Sequence, residues 1–501
     1  MEEQKEEHRL VKERIKKFDE LKEAGVDPFP YSYRQTHHSK EIKEKYGASL
    51  KATEHTNDKV IVAGRIMTIR EMGKASFFKL QDQSGQIQVY IKQEDVGEGM
   101  YKIFRKLDIG DIIGVEGFIF KTKTGELTIA TQNIQLLCKS FKPLPEKYHG
   151  LKDTELRYRQ RYLDLIMNQD VKDRFVLRSK IIQAYREFML SKGFIEVDTP
   201  TLQTVYGGAA ARPFVTHINA WKMDMFLNIS PELHLKRLIV GGFEKVFTIC
   251  KNFRNEDADK THNPEFTMSE FYQAYADYND MMKLTEEVFE YVAKKVLGTT
   301  VIEYEGKKID LKSPWPRVTV YQALKKFAGL DVEKMDDGQI QEQLLHHNLV
   351  VEGGYNRGKA IIELFQHLCE PHLIQPTFII DYPKEASPLC KKKRGNQELI
   401  EKVEPYINGW EMGNGYSELN DPFLQEKLLK EQAAQLRAGF EEAQPFDEDF
   451  VNALKYGLPP TGGMGIGIDR MIILLTNAAS IRDAILFPTM KPMEEKEEKK
   501  E

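Results

Sequence analysis

Between Val246 and Tyr275 the chain reads VFTICKNFRNEDADKTHNPEFTMSEFYQAY, a stretch dense in side chains that can bind and polarise a ligand. Strand alternation puts Phe247, Ile249 and Phe253 on one face and Arg254 and Glu256 on the other. A polar loop, residues 257–264, turns the chain back, and a second strand presents Phe266, Met268, Glu270 and Tyr272 on one face. The predicted hairpin offers an arginine, carboxylates, an aromatic ring and a loop histidine, His262. An arginine fork takes a phosphate or carboxylate, and Phe266 can stack on a base. The set suits a nucleotide beside a cationic ligand. Ordinary surface ion pairs are the alternative, and so many polar types on one hairpin weigh against them.

In GGMGIGIDRMIILL (Gly462–Leu475), Ile468, Met471, Ile472 and Leu475 fall at helical spacing. A glycine-rich strand is therefore expected to run into a helix with Arg470 in its first turn. Glycine lets a ligand approach the backbone, and a helix N-terminus favours an anion. The spacing is neither G-x-G-x-x-G nor G-x-x-x-x-G-K-[ST], so neither a Rossmann fingerprint nor a P-loop is present. In IEKVEPYINGWEMGNGYSELND (Ile400–Asp421), Asn408-Gly409 is a two-residue hairpin signal. It would pair Ile407 with Trp410 and Tyr406 with Glu411, making Glu404 and Glu411 diagonal neighbours on one face. Two converging carboxylates can hold Mg²⁺ together with substrate phosphates; two solvated glutamates are the plainer reading. Asn414 and Glu418 have the opposite parity from Glu411, and a bulge at Gly413 or Gly415 would re-aim them. GFIEVDTPTL (Gly193–Leu202) follows a helix with Ile181, Ile182, Tyr185, Phe188 and Met189 on one face. It carries no chemistry of its own and reads as a packing element, suited to a contact between subunits.

These segments need a scaffold, and 501 residues suffice for two or three domains. Residues 1–25 read as one amphipathic helix, with Leu10, Val11, Ile15, Phe18 and Leu21 near one face and Gly25 as its stop; it heads a helical extension to residue 57. Across 58–145 the period drops to two: Ile87, Val89 and Ile91 alternate with Gln88, Tyr90 and Lys92. Turn signals at 82–85 and 121–125 complete the pattern of a five-stranded OB-type barrel. Such barrels bind oligonucleotides on one face. Phe77 and Tyr90 could stack on bases and Gln88 read an edge, or Phe77 could belong to the core. Residues 146–170 form a linker, where Arg157, Arg159 and Arg161 with interleaved tyrosines make either a nucleic-acid patch or a solvated helix face. From 171 to 492 strands come in adjacent pairs and not as βαβ units. An α+β domain follows, with a mainly antiparallel sheet flanked by helices. The tail, 493–501, is too charged to fold.

Apolar residues make up 41%, the formal net charge is −5, and the four cysteines (Cys138, Cys250, Cys369, Cys390) form no C-x-x-C pair. This fits a soluble cytoplasmic protein with reduced thiols, without a zinc site or disulfide framework, and without a membrane span or leader peptide. An acidic total neither favours nor excludes nucleic acid, since only the contact face must be basic.

At these residues the chain resembles the class II aminoacyl-tRNA synthetases, and among them the lysyl group. Gly193–Pro200 is similar to motif 1, the dimer-interface motif, FRNEDADKTHNPEF to motif 2, and GIGIDR to motif 3. The lysyl-type blocks are GGAAARPF, SPELHLKRLIVGGFEKVF, THNPEFTMSEFY and GNGYSELNDP, and MGKASFFKLQD in the barrel is similar too. The resemblance spans roughly residues 5–492. KKKRGN after Pro388-Leu389-Cys390 and FEEA at 440–443 depart from common bacterial members, outside the matching pocket residues.

The resemblance implies a residue-by-residue assignment. Arg254 would hold the lysine carboxylate and the α-phosphate of ATP, and Arg470 the terminal phosphates. Glu256 would meet the adenine amino group and Phe266 its ring, while His262 and Asn263 join the ATP site. Glu404 and Glu411 would carry Mg²⁺. Gly208 and Glu232 would take the α-amino group, with Asn414 assisting the carboxylate. Glu270, Tyr272 and Glu418 would receive the side-chain ammonium. In the barrel, Arg70, Phe77 and Gln88 match anticodon-reading positions. The partners implied are ATP, L-lysine, tRNA(Lys) and a second copy of the chain, and the chemistry is adenylate formation followed by transfer to the tRNA 3′ end. Two rivals remain open at this level. One is an aspartyl- or asparaginyl-type enzyme, which would need cationic residues where Glu270 and Glu418 stand. The other is a repurposed RNA-binding paralogue.

Overall fold

Alternation closes the first part of the chain into a barrel. Strands His55–Met72, Ala75–Gln81, Gln86–Lys92, Ile112–Lys121 and Leu127–Cys138 pair in the order first, second, third, fifth, fourth. Every second residue points inward, so Val60, Val62, Phe78, Leu80, Val89, Ile113, Val115 and Ile129 share one buried cluster. The turns are those expected: the Asp82 carboxylate accepts from the Ser84 and Gly85 amides at 2.7 and 3.0 Å, and Gly125 turns at φ 86°. The computed structural model describes residues 2–145 and 153–493, apart from 257, 352 and 441. It divides into two units, Met1–Arg157 with Tyr162–Gln169 and Tyr158–Arg161 with Asp170–Glu501. The start of the expected linker, 146–152, and the charged tail from 494 lie outside the described residues.

The N-terminal helix, Glu2–Glu23, ends as predicted before Gly25 at φ 76°. Its inner face differs from the expectation: Ile15 is exposed and Arg14 is buried. The Arg14 guanidinium donates to the carbonyls of Ser140, Lys142 and Ile109 at 3.0, 3.0 and 2.9 Å. Those bonds satisfy the charged head while the stem packs, which hydrophobic periodicity cannot anticipate. Leu21, Ile42 and Tyr46 share the barrel's cluster.

The second unit is built on a ten-stranded sheet whose main path runs 317–319, 377–383, 396–407, 413–417, 461–467, 265–274, 245–253, 195–196. The two outermost pairings are parallel and the others along this path antiparallel. Helix Gln169–Ser191 buries Ile181, Tyr185, Phe188 and Met189 in one cluster with sheet residues Phe247 and Phe271 and helix Ile468–Thr476. That is the face read from the sequence. Among the described residues no helix is long and apolar enough to cross a membrane.

Two expectations fail here. Arg161 is buried, and its guanidinium donates to the carbonyls of Leu486 and Arg482 at 3.0 and 2.9 Å, while Arg157 bonds Asp164 at 2.9 Å. Arg161 is thus neither a phosphate contact nor part of a solvated face, while Leu156 and Tyr162 of the same stretch stay exposed; its donors go to main-chain carbonyls far along the chain. The strand Lys245–Phe253 also stops one residue short of Arg254. Arg254 and Glu256 therefore belong to the loop, although the Arg254 amide extends the ladder to the Pro264 carbonyl at 2.9 Å.

Candidate active site

The glycine strand Thr461–Gly467 lies between Glu265–Ala274 and Gly413–Ser417, with Glu270 and Asn414 opposite Gly465, and Tyr272 and Tyr416 opposite Gly463. Its lack of side chains gives the neighbours room. A Cβ on Gly463 would stand 2.2 Å from Glu418 Oε1 and 2.3 Å from Tyr272 Cε1. The space above this floor is a cavity of about 930 Å³. Arg254, Glu256, His262, Asn263, Phe266, Glu270, Tyr272, Glu404, Glu411, Asn414, Glu418, Gly208, Glu232 and Arg470 all line it.

The hairpin at Asn408-Gly409 forms in the expected register, Tyr406 opposite Glu411 and Ile407 opposite Trp410, with both turn residues at positive φ (56° and 75°). Further along, Val403 faces Gly415. From 406 to 403 is three residues but from 411 to 415 is four, so one extra residue sits on the returning strand. That bulge inverts the parity and brings Asn414 and Glu418 to the cavity beside Glu411.

One end of the cavity is made for anions. The Arg254 guanidinium lies 5.2 Å from the Phe266 ring centre, and its Nε is shut off from solvent without a hydrogen-bond partner. Burial pushes its pKa down, against the pull of Glu256, Glu411 and Glu270. Arg470, in the first turn of helix Ile468–Thr476 as expected, donates through Nη1 to the Glu411 carbonyl and through Nη2 to His262 Nε2 at 3.2 Å. His262 Nδ1 stands 2.9 Å from Asp259 Oδ2. With Nδ1–H donated there, Nε2 is left as the acceptor for Arg470. Asn263 donates to the Glu265 carbonyl at 2.6 Å, and its own Oδ1 has no partner.

Beside this end Glu404 is held by Tyr382 and Tyr406 hydroxyls at 2.6 and 3.0 Å, by Asn414 Nδ2 at 3.3 Å and by Lys402 at 2.7 Å. Burial, with the Glu404 charge next, raises the Glu411 carboxyl to about 7. A cation between the two carboxylates would relieve that repulsion. Among the described residues no group of three or more His, Cys, Asp or Glu is arranged for a metal. The pair fits an ion whose remaining ligands are phosphate and water, which is how Mg²⁺ is usually held.

The other end is made for cations. Glu270, Glu232 and Glu418 are each at most 4% exposed. Ser230 and Tyr272 hydroxyls donate to Glu270 at 2.7 and 3.1 Å. Lys236, fully buried, stands 2.6 Å from Glu232 and 2.5 Å from Glu418, the latter an ion-pair contact off the line of a hydrogen bond. Both Glu418 carboxylate oxygens and Asn414 Oδ1 are buried without hydrogen-bond partners. Buried polar atoms are nearly always paired. Arg254, Asn263, Asn414 and Glu418, each carrying an unpaired one, all line this one cavity, which suits a ligand with both donors and acceptors.

The family model for class II tRNA synthetases (D, K and N) matches residues 153–491. A lysine–tRNA ligase of Moorella thermoacetica is 51% identical over 490 residues, 98% of this chain and 99% of the relative. One of Clostridium novyi is 53% identical over 488 residues, 96% and 94% of the two chains. The chain belongs to the lysine–tRNA ligase family of class II synthetases. As a class II synthetase it is an ATP-dependent enzyme that aminoacylates tRNA, and its first domain matches the OB-fold nucleic acid binding model over residues 60–137.

In this synthetase the barrel sends Phe78 into the core and leaves Phe77 half-buried on the outside. Phe77 pairs with exposed Arg70 on one side and with Tyr90 on the other, its ring 4.7 Å from Tyr90. Gln88 is tied to Thr128 Oγ1 at 2.9 Å. The three residues thus sit on a face with an open aromatic surface. Phe77→Ala is expected to weaken tRNA charging by one stack, on the order of 1–3 kcal/mol, and to leave tRNA-independent pyrophosphate exchange unchanged. If both reactions fall together, Phe77 serves the core instead.

Sequence reading missed Lys236. The signal was present: Glu232 and Lys236 are four apart on helix Glu232–Val240, yet Leu233, Leu235 and Ile239 around them are buried, so the pair cannot lie on a solvated face. Three buried carboxylates against one ammonium have a measurable effect. Burial raises Glu270 and Glu418 to about 8, with the Glu232 charge adding to both and Lys236 opposing the rise at Glu418. These folded-state values lie above the ordinary 4.5, so the associated stability is complete below that pH and is lost as pH rises through about 8. The ligand-free protein should melt at falling temperature between about pH 5 and pH 8, and a Glu270→Gln, Glu418→Gln double variant should lose much of that slope in a thermal-shift series.

Proposed function

We propose that the chain activates L-lysine with ATP and transfers it to the 3′ end of tRNA(Lys). The observation that carries this reading is the make-up of the cationic end: three buried carboxyl groups, Glu232, Glu270 and Glu418, share one buried ammonium, Lys236, so two of them are left without a cation of their own. Lysine brings two ammonium groups to that end, and its carboxylate falls to the Arg254 end. Glu232 and Gly208 would hold the α-amino group, where a Cβ at Gly208 would come 2.8 Å from Glu232 Cβ. Glu270, Tyr272 and Glu418 would hold the side-chain ammonium and Asn414 would steady the carboxylate. ATP would lie with its base on Phe266, the adenine amino group at Glu256, and its phosphates on Arg254, Arg470, His262 and Asn263. An aspartate side chain in the same place would face buried carboxylates and be repelled.

The lysine carboxylate then attacks the α-phosphorus in line, releasing pyrophosphate, and the tRNA terminal hydroxyl attacks the adenylate. No protein nucleophile is needed; arginine charge and positioning lower the barrier. Mg²⁺ held at Glu404 and Glu411 would neutralise phosphate charge. Glu404→Gln or Glu411→Gln should raise the Mg²⁺ concentration for half-maximal exchange, by roughly tenfold or more. Unchanged Mg²⁺ titrations in both would leave them as structural glutamates.

A homodimer accords with motif 1, where Ile195 on the edge strand and Leu202 are 50% and 44% exposed. The four unpaired cysteines accord with the cytoplasm. The deciding experiment is ATP–pyrophosphate exchange with each amino acid in turn; preference for any other than lysine overturns the assignment.

A further inference from the structure

Lys236 has no place in the reaction described so far, yet it is fully buried and touches two residues of the amino-acid pocket. Glu232 and Glu418 line the cavity and Lys236 does not. We propose that Lys236 is a positioning and specificity-determining residue: from behind the cavity wall it holds Glu232 and Glu418 by one oxygen each, leaving their second oxygens for the ligand's two ammonium groups. The inference rests on the lysine-activating reading above.

Three features carry it. The contacts are single-point, 2.6 Å to Glu232 Oε1 and an ion-pair approach of 2.5 Å to Glu418 Oε2, and neither Glu418 oxygen has a hydrogen-bond partner within the protein. Second, the two carboxylates come from a helix and from a residue just past the end of strand Gly413–Ser417, and the one buried ammonium lies within 2.6 Å of both. Third, Lys236 fixes the charge count. Without it Glu232 and Glu418 would lose the cation that favours their ionised forms, and each would have to keep a proton or move, because unpaired buried charge is not tolerated.

A merely structural ion pair predicts general loss of activity, whereas a positioning role predicts loss confined to lysine. The test compares Lys236→Met and Lys236→Arg with the wild type in pyrophosphate exchange, titrating lysine and ATP separately, with 1,5-diaminopentane as a competitive probe of the ammonium subsites. Lys236→Met is expected to raise the KM for lysine about 100-fold or more. Its KM for ATP should stay within about threefold and its kcat at saturating lysine within about fivefold. The inhibition constant of diaminopentane should rise alongside the lysine KM. Lys236→Arg should fall between, because a planar fork keeps the charge but not two single-point contacts. A folded Lys236→Met protein with near-normal lysine KM overturns the proposal, as does a joint shift of both KM values and kcat. If Lys236→Met does not fold, an unchanged lysine KM in Lys236→Arg overturns it instead. A wild type that prefers another amino acid would sink the lysine reading itself, a result separable from either.

Discussion

Arg254→Ala should fold normally and lose adenylate formation. The guanidinium reaches the cavity from a loop position, just past the end of strand Lys245–Phe253, and its buried Nε has no hydrogen-bond partner. Removing it leaves the sheet's ladder intact, since only its main-chain amide bonds Pro264. The chemistry is exposed to the loss: with no protein nucleophile, the barrier depends on charge placed where the α-phosphate develops it. One preorganised donor removed from such a site costs on the order of 10²–10³ in kcat. The penalty here should be at the upper end or beyond, because the same side chain would also orient the lysine carboxylate. The check is pyrophosphate exchange beside a melting curve: an unchanged melting temperature with exchange near the wild-type rate would refute the assignment of Arg254.

Glu418→Gln should be the most damaging change to lysine recognition. Glu418 is 1% exposed, in ion-pair contact with Lys236 through Oε2 and without a hydrogen-bond partner at either oxygen. Breaking a buried charged contact on one side costs about 3–5 kcal/mol. At about 1.36 kcal/mol per decade that is roughly two to nearly four decades in the KM for lysine. The same construction governs rejection. Methionine comes near lysine in length and leucine is shorter, but both leave Glu270 and Glu418 unpaired, and sites built on buried polar groups reject such ligands by about 10⁴ or more. Arginine should fail through the shape of its planar fork. Exchange rates across the amino acids, for the wild type and for Glu418→Gln, carry the test. An unchanged lysine KM in the variant would show that the ammonium is held elsewhere.

What the sequence determined by itself was what short-range sterics and periodicity dictate. Asn408-Gly409 specified a tight hairpin because both positions tolerate positive φ, and that turn alone fixed Glu411 opposite Tyr406. Alternation at 86–92 fixed which side of the barrel Ile87, Val89 and Ile91 would face, and helical spacing after Gly467 fixed Arg470 in a first turn. The long motifs carried the family, and with it the residues around the cavity. Only tertiary structure decided the rest. The extra residue between Glu411 and Gly415 depends on pairing with Lys402 and Val403, so parity in the chain could suggest a bulge but not place it. Arg14 and Arg161 are buried because distant carbonyls happen to need their donors, and no local pattern encodes a partner more than a hundred residues away. Lys236 is the plainest case. Its helix partner, Glu232, was visible four residues back, but its meaning comes from Glu418, brought to 2.5 Å by a strand far along the chain. Local sterics act over a few residues and are legible in order. Burial brings together charges that the sequence keeps apart, and their mutual neutralisation is settled only when the sheet closes over them.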